Sequence, residues 1–237
     1  MCGRFTLRAP ASAVAEAFSL LDVPPLEPRF NIAPSQPVPV VRLSPGPAET
    51  AGGGPQGERQ LAFLRWGLIP SWADDPAIGN RLINARAETA AEKPAFRAAF
   101  RQRRCLLVAD GFYEWRQLGH TKGSPRQPYF FQMRDGRPLG FAGLWESWEG
   151  PDRARIESST ILTTAASELV RPIHDRMPVI LAPADYARWL DPAVDRAEPL
   201  LGLLRAYAGE ALVACAVSPW VNSPAHDDPR CIEPAAD

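Results

Sequence analysis

The amino-acid sequence predicts an α+β fold: a single irregular domain over residues 1–237, in which a mainly antiparallel, barrel-like bent β-sheet is flanked by helices. Short β-rich segments do not alternate regularly with helical ones, which argues against a doubly wound parallel sheet. Many of the 26 prolines fall in loops, as is typical of an irregular domain. At 237 residues the chain is long enough to bury a sizeable core.

Two sequence features place helices in the N-terminal half. Residues 11–22 have the apolar spacing of an amphipathic helix and end before two prolines. Thr89 and Glu92 have the form of a capping box, which predicts a helix that begins there and runs to about Arg103. Further helices are predicted near residues 183–190 and 197–209.

Apolar runs rich in β-branched and aromatic residues predict the strands. In chain order they are residues 38–43, 60–66, 105–109, 128–133, 139–145, 159–164, 179–181 and 211–218. A further strand follows the turn signal Asp110-Gly111. The Gly/Pro-rich stretch 44–58 predicts a mobile hairpin excursion within the domain, and residues 225–237 form a polar tail.

Charge and cysteine content narrow the classes of function. The net charge is −1, so nucleic-acid binding requires a local basic patch. The best candidate is the Arg-rich run 97–104 with Arg81 and Arg86 upstream, although a solvated helix face explains the run equally well. Four cysteines without a CxxC pair favour free thiols in a reducing compartment. The sequence shows neither a bilayer-length apolar run nor a secretory signal, so we expect a cytoplasmic protein.

The second residue, Cys2, has the small side chain that usually permits removal of Met1. Removal would leave a free α-amine and a thiol on one residue, a 1,2-aminothiol. The amine of such a pair condenses with an aldehyde, and the thiol then closes a five-membered ring. The same residue can also serve as a nucleophile that carries its own base. Judged by position alone, an incidental terminal cysteine is the simpler interpretation.

Three polar residues interrupt an apolar context at alternate positions, Asn84, Arg86 and Glu88. In an extended segment they share one face, where they could hydrogen-bond a sugar or a phosphate. A turn held by Asn84 and a structural ion pair would explain them equally well. Farther along, Glu114 lies between Tyr113 and Trp115, and partial desolvation there would raise its pKa into the range for acid/base catalysis. The alternative is an ordinary solvent-facing Glu on a strand.

His174 is one of three histidines and the only one next to an apolar strand. His120 lies in a polar loop and His226 in the polar tail. We therefore expect His174 to be held in place, either as a structural residue or as a proton-transfer group. Four residues together form a plausible set of nucleophile, orienting residue and proton-transfer groups. They are Cys2, Asn84, Glu114 and His174.

Nine stretches of the chain, in register, resemble the SRAP family (SOS response-associated peptidase-like), whose members protect abasic sites in single-stranded DNA. They are MCGRF (1–5), RFNIAPSQPVPVV (29–41), RWGLIPSWA (65–73), LINARAET (82–89), RRCLLVADGFYEW (103–115), FAGLW (141–145), ILTTAA (161–166), HDRMPVIL (174–181) and VSPWVNSP (217–224). They cover nearly the whole chain. The departures lie chiefly in the 44–58 insertion and the tail.

The resemblance implies a role for each matching residue. Cys2 corresponds to the residue that forms a thiazolidine crosslink with the ring-opened deoxyribose. Asn84 corresponds to the residue that holds the nucleophile and the sugar, Glu114 to the acid/base carboxylate, and His174 to the histidine that assists proton transfer. The positions implied to line the DNA channel are Arg4, Asn31, Trp66, Trp72, Arg86 and Glu88.

The resemblance also implies a monomer that binds single-stranded DNA containing abasic sites, without a metal, a small-molecule cofactor or a membrane. Such a protein would be cytoplasmic and nucleoid-associated on damaged DNA, with AP-lyase and self-processing peptidase activity possible. One alternative is an N-terminal-nucleophile hydrolase, either a glutamine amidotransferase or a peptidase with Cys2 as nucleophile and His174 as base. The other is a non-enzymatic damage-binding module in which Cys2 is incidental.

Overall fold

The computed structural model of the chain describes residues 2–44, 57–119, 121 and 124–235. These residues form thirteen strands and five short α-helices. The strands are β1 (Phe5–Leu7), β2 (Arg29–Ile32), β3 (Pro37–Leu43), β4 (Arg59–Trp66), β5 (Asn84–Arg86), β6 (Arg104–Ala109), β7 (Gly111–Gln117), β8 (Arg126–Met133), β9 (Leu139–Glu149), β10 (Arg155–Ala165), β11 (Arg176–Pro178), β12 (Ile180–Leu181) and β13 (Leu212–Ala216). The helices are α1 (Ala11–Phe18), α2 (Ala87–Ala90), α3 (Arg97–Gln102), α4 (Tyr186–Leu190) and α5 (Glu198–Leu201).

Five of the strands close into a barrel. β3 pairs antiparallel with β4 and β6, and β9 pairs antiparallel with β6 and β10. A parallel pairing of β10 with β4 completes the ring. β6 is buried at every position, which explains why its sequence is a continuous apolar run after Arg104. The prediction of an α+β fold with a mainly antiparallel, barrel-like sheet is confirmed.

A second, antiparallel sheet in the order β13-β8-β7-β1-β2 packs against this barrel. The ring of Phe5 on β1 lies 5.0 Å from Trp66 and 6.0 Å from Phe141, measured between centroids. Phe112 on β7 also contacts Phe141, at 6.0 Å. Edge-to-face aromatic packing of this kind fixes the two sheets against each other. Because Cys2 lies only three residues before Phe5, the contact places Cys2 near the junction of the barrel and the second sheet.

A buried carboxylate fixes the end of β1. Asp110, at the turn between β6 and β7, is 1% exposed. It accepts hydrogen bonds from the hydroxyl of Thr6 and from the backbone N–H groups of Arg8 and Ala9. The guanidinium of Arg8 lies 3.2 Å from the same carboxylate. These contacts tie the first nine residues to the β6–β7 turn.

The helices are shorter than the sequence predicts. The predicted helix 11–22 ends at Phe18, because Ser19 adopts a left-handed conformation with φ of 54°. At the C-terminal end, the helix predicted near 183–190 is present as a 3-10 turn over Pro183–Asp185 followed by α4, whereas the one predicted near 197–209 is reduced to α5. Short helices of this kind depend on tertiary packing rather than on local propensity.

The capping box at Thr89 is wrong as a prediction. The helix at this place, α2, begins earlier, at Ala87. Its N-cap residue, Arg86, makes no side-chain capping hydrogen bond. The chain then turns at residues 91–96, and α3 begins at Arg97. Pro94 lies within that turn, and a proline disfavours helical geometry at the residue before it. The predicted single helix is therefore two.

All eight strand segments found as apolar runs contain a strand, as does the segment after Asp110-Gly111. The four strands without a sequence prediction are β1, β2, β5 and β11. Most of the predicted excursion 44–58 lies outside the described residues, as do Met1, His120 and the last two residues of the tail. Among the described helices, none has the length and apolar character to cross a membrane.

Replacing Asp110 by Ala should lower the free energy of unfolding by about 2–3 kcal/mol, because three donors at the end of β1 lose a buried charged acceptor. Urea unfolding monitored by Trp fluorescence measures the change. The control is Asp135→Ala, since Asp135 is an exposed carboxylate 3.6 Å from Arg137 and should cost less than about 0.5 kcal/mol. Equal losses in both variants would contradict the anchoring role of Asp110.

Candidate active site around the N-terminal cysteine

The side chain of Asn84 holds Cys2 in place. Asn84 begins β5, where it pairs with Ile161 of β10, and its Nδ2 donates to the carbonyl of Cys2 at 2.8 Å. The Oδ1 atom of Asn84 is buried and, among the described residues, has no hydrogen-bond partner. Asn84 therefore combines a donor that fixes the cysteine with an acceptor available to a ligand.

Cys2 itself is fully buried. Its Sγ lies 3.8 Å from the carbonyl oxygen of Arg4. Burial raises the pKa of the Cys2 thiol well above its usual range, and the charge of Glu114 raises it further. The resting side chain is therefore a neutral thiol and not a thiolate.

Glu114 on β7 faces the interior and is only 2% exposed. Burial raises the pKa of its carboxyl to about 7. The desolvation expected from the sequence is confirmed, and the alternative of a solvent-facing Glu is excluded. A carboxyl with a pKa near neutrality can both give and accept a proton under cellular conditions, which suits a general acid/base.

His174 lies two residues before the start of β11, and its ring is directed at Glu114. The distance from its Nε2 to Oε2 of Glu114 is 4.0 Å. At the other side of the ring, the backbone N–H of Arg176 donates to Nδ1 at 3.0 Å. Burial lowers the pKa of the His174 imidazole, so the ring is neutral at pH 7. The four residues selected from the sequence thus lie in one place, linked as Asn84–Cys2 and His174–Glu114.

Two of the predicted DNA-channel residues, Trp72 and Arg86, are exposed and have side chains suited to nucleic acid. The indole of Trp72 is 59% exposed, in the loop after β4. Arg86, two residues after Asn84, is also exposed. An exposed indole and a cation are the groups that a single-stranded nucleic acid requires, the first for stacking and the second for phosphate.

The expectation that Trp66 lines a DNA channel is wrong. Its ring is fully buried against Phe5, and its Nε1 donates to the carbonyl of Ile83 at 2.9 Å. A base cannot stack on a ring that is covered by the core. Trp66 is therefore a packing residue between the barrel and β1.

Asn31 and Arg4 also have structural partners. The amide of Asn31 is fully buried and donates to the carbonyls of Ser223, at 2.9 Å, and His226, at 2.6 Å. Arg4 donates to Oδ1 of Asn31 and to the carbonyl of Val221, both at 2.9 Å. Both side chains thus hold the C-terminal segment against β2, and a direct contact of Asn31 with DNA is inconsistent with its burial.

Glu88 does not continue the extended face of Asn84 and Arg86, because it lies in the first turn of α2. Its carboxylate forms a bidentate ion pair with Arg176, with distances of 2.7 and 2.8 Å. The hydrogen bond from Arg176 lowers the pKa of Glu88, which keeps the carboxylate charged. A negative group already engaged in this way does not favour a phosphate, so the geometry does not support Glu88 as a DNA ligand.

The basic run 97–104 is partly structural. Arg104 is buried and donates to the carbonyls of Trp189, at 2.6 Å, and Phe100, at 2.7 Å. Arg103 pairs with Glu146 at 2.7 Å. Only the exposed arginines of the run, Arg97 and Arg101, are free of such core contacts and accessible to phosphates.

The sequence reasoning missed Arg176, which contacts both Glu88 and His174. Its position two residues after His174 was the available signal, because alternate residues of an extended segment share a face. Within the described ranges, no group of three or more His, Cys, Asp or Glu residues lies close enough together to hold a metal ion.

Comparison with known proteins gives one family, with relatives that match over the whole length or over part of it. A profile described as SOS response associated peptidase (SRAP) matches residues 1–224. Abasic site processing protein YoqW of Bacillus subtilis (strain 168) is 39% identical over 236 residues, covering 98% of this chain and 99% of YoqW. Abasic site processing protein HMCES of Gallus gallus is 36% identical over 202 residues, covering 75% of this chain and 58% of HMCES.

Solved structures agree with this. A crystal structure of a protein from Bacteroides thetaiotaomicron superposes with a TM-score of 0.78 at 26% identity, covering 99% of this chain and 100% of that one. The crystal structure of a phage-related protein from Bordetella bronchiseptica has a TM-score of 0.71 at 25% identity, with 91% of this chain and 94% of that one covered. The fold described above is therefore shared with these two proteins over more than nine-tenths of the chain.

The buried carboxyl of Glu114 predicts a pH-dependent stability. Its pKa is raised from 4.5 to about 7 on folding, so the wild type loses stability as the pH rises between these values. Glu114→Gln lacks this loss, and its stability relative to the wild type should grow across the same window, by on the order of 3 kcal/mol. Urea unfolding between about pH 4 and 8 measures it, with the exposed Glu149→Gln as control. A stability difference that stays constant with pH would contradict the assignment.

Proposed function

The chain belongs to the SRAP family, and on that premise we propose that it recognises abasic sites in single-stranded DNA and shields them through a covalent crosslink to Cys2. The observation that carries the proposal is the placement of Cys2, whose carbonyl is held by Asn84 close to Glu114, an acid/base carboxyl with a pKa of about 7.

The proposed reaction needs both functional groups of one residue. An abasic deoxyribose is partly a ring-opened aldehyde. Once Met1 is removed, the amine of Cys2 attacks the aldehyde carbon, and loss of water gives an imine. The thiol then adds across the C=N bond: sulfur bonds to carbon and a proton goes to nitrogen. The product is a thiazolidine, water is the only leaving group, and no oxidant or reductant is consumed.

The protonation states of the site suit these steps. An α-amine has an unperturbed pKa of roughly 7.7–8.0, so a fraction is neutral and nucleophilic near pH 7. Glu114 can accept a proton from the attacking amine and return it to the hydroxyl that leaves as water. His174 assists at the sugar from Nε2. The free Oδ1 of Asn84 can accept a hydrogen bond from the amine or from a sugar hydroxyl.

A cysteine hydrolase is the weaker reading of the same residues. A thiol that attacks an amide must be activated to the thiolate by an adjacent base or by a lowered pKa. Here burial raises the pKa of Cys2, and its Sγ faces the carbonyl of Arg4. A non-enzymatic binding module is disfavoured as well, because an incidental terminal cysteine would not be buried and fixed by Asn84.

The same geometry permits two secondary activities, which we include in the proposal. Glu114 and His174 beside an imine can remove a proton from the neighbouring sugar carbon, which leads to β-elimination and strand cleavage. Removal of Met1 is the one peptide cleavage that the crosslink requires.

Replacing Cys2 by Ala should abolish the stable crosslink, and Cys2→Ser should leave at most a weaker oxazolidine or imine. The assay is a denaturing gel of protein incubated with an abasic single-stranded oligonucleotide, on which a crosslink appears as a heat-stable shifted band. The matched control is Cys215→Ala, because Cys215 is an exposed thiol on β13. Undiminished crosslinking by Cys2→Ala would refute the proposal, as would full activity of a protein whose N-terminal amine is blocked.

Crosslinking should be fastest on single-stranded abasic DNA, slower at a junction and poorest in continuous duplex, because stacking on Trp72 needs unpaired bases. Trp72→Ala should weaken binding by roughly 1–3 kcal/mol. Crosslinking rates should fall with added salt, because contacts of Arg86 and nearby arginines with phosphates release the counterions that are condensed on the DNA. Leu21→Ala, at a side chain 84% exposed, is the control for loss of an exposed apolar group. Equal, salt-independent rates on all three substrates would contradict a single-strand groove.

A further inference from the structure

The imidazole of His174 has a fixed donor on one of its two nitrogens. The backbone N–H of Arg176 points at Nδ1, with N and Nδ1 3.0 Å apart. A backbone N–H can only donate, so Nδ1 must be the accepting nitrogen, and the neutral ring then carries its proton on Nε2. Nε2 is the nitrogen that faces Glu114, 4.0 Å from Oε2. The position of one main-chain amide therefore decides which nitrogen of His174 can donate into the site.

The side chain of Arg176 keeps that amide where it is. Its guanidinium binds both carboxylate oxygens of Glu88, at 2.7 and 2.8 Å, and donates to the carbonyl of Thr163 at 2.6 Å. The Arg176 side chain is only 13% exposed. A bidentate pair fixes orientation as well as distance, which a single-point contact does not.

The same ion pair joins two parts of the site. Glu88 follows Asn84 by four residues on the β5–α2 segment, and Arg176 follows His174 by two. Thr163 lies between them on β10, opposite Arg86 of β5 and Pro178 of β11. The Glu88–Arg176 pair therefore spans β10 and ties the residue that holds Cys2 to the histidine.

We propose that Arg176, clamped by Glu88, is a positioning residue that keeps the proton of the neutral His174 ring on Nε2, directed at Glu114 and the reacting sugar. The reaction concerned is that of the proposed function, whereas the tautomer is a property of the folded protein in the absence of DNA. His174 then acts as a hydrogen-bond donor to the sugar, and Glu114 is the group that takes up protons.

Asp175 is the charged group that opposes this arrangement. Its Oδ1 lies 3.0 Å from Nδ1 and would favour a proton on that nitrogen. The Asp175 side chain is 88% exposed, so water screens it and its carboxylate can rotate away, whereas the amide of Arg176 is held by the clamp. The other charged groups acting on the ring are the N-terminal amine of the chain, which lowers the pKa of the imidazole, Glu114 and, more weakly, Arg126.

Nitrogen-15 NMR of the histidine rings reads the tautomer directly and needs no DNA. The chain has three histidines, and His174→Gln identifies the signals of His174. Wild type, Asp175→Asn and the control Glu149→Gln should show a proton on Nε2. Glu88→Gln and Arg176→Lys should show a mixture of the two tautomers. The proposal would be overturned if the His174 ring kept its proton on Nε2 in both Glu88→Gln and Arg176→Lys. It would also be overturned if Asp175→Asn lost that tautomer.

Crosslinking rates at saturating abasic DNA give the functional arm. Glu88→Gln and Arg176→Lys should each be about 10-fold slower than wild type, less than the loss of a whole acid/base group, which is about 10²–10⁴-fold. The double variant should be no slower than the slower single variant, because the two residues act as one unit. Changed DNA affinity with unchanged saturating rates would assign the pair to phosphate binding and overturn the positioning role. Failure of the wild type to crosslink would refute the proposed function and leave the NMR result standing.

Discussion

The buried carboxylate of Asp110 is the interaction on which the rest of the site depends. A terminal segment of nine residues ordinarily frays, because few of its contacts repay the loss of backbone entropy. Here Asp110 is 1% exposed, and a carboxylate removed from water must find donors. The hydroxyl of Thr6 and the amides of Arg8 and Ala9 supply them. Through this exchange of hydrogen bonds, β1 becomes an internal strand and Cys2 acquires one fixed position.

With β1 in place, the two sheets contribute different parts of the proposed chemistry. The barrel strand β10 positions the residues that hold Cys2 and His174. Asn84, which binds Cys2, pairs with Ile161 of β10, and Arg176, which binds His174, pairs with Ala165 of the same strand. The second sheet supplies Glu114, on a strand adjacent to β1. In the proposed reaction, one layer therefore holds Cys2 in place and the other supplies the carboxyl that exchanges protons with it. Preorganisation of this kind lets the site act without reorganising during reaction.

The sequence predicted what local pattern encodes and missed what tertiary contacts decide. Continuous apolar runs indicated the buried strands, and breaks in pattern indicated Glu114 and His174. The three-residue strands β1, β5 and β11 carry too little pattern of their own and exist through pairing with neighbours. The sequence around Trp66 does not determine whether its ring faces the core or the solvent. In the structure the ring is buried in the core, so it cannot line a DNA channel.

Burial of Cys2 has a consequence for the adduct as well as for its formation. In the proposed product the sulfur that was a neutral thiol becomes part of a neutral ring, so the step places no new charge in a low-dielectric pocket. Reopening the ring reverses the last step: the C–S bond breaks, a proton leaves the nitrogen, and another is delivered to the sulfur. Water then attacks the imine, and a site that excludes water slows that attack. Glu114 is the group positioned to deliver the proton, and with a pKa of about 7 it is only half protonated near neutrality. In the proposed reaction the same carboxyl therefore acts in both directions, and the buried setting favours the closed ring.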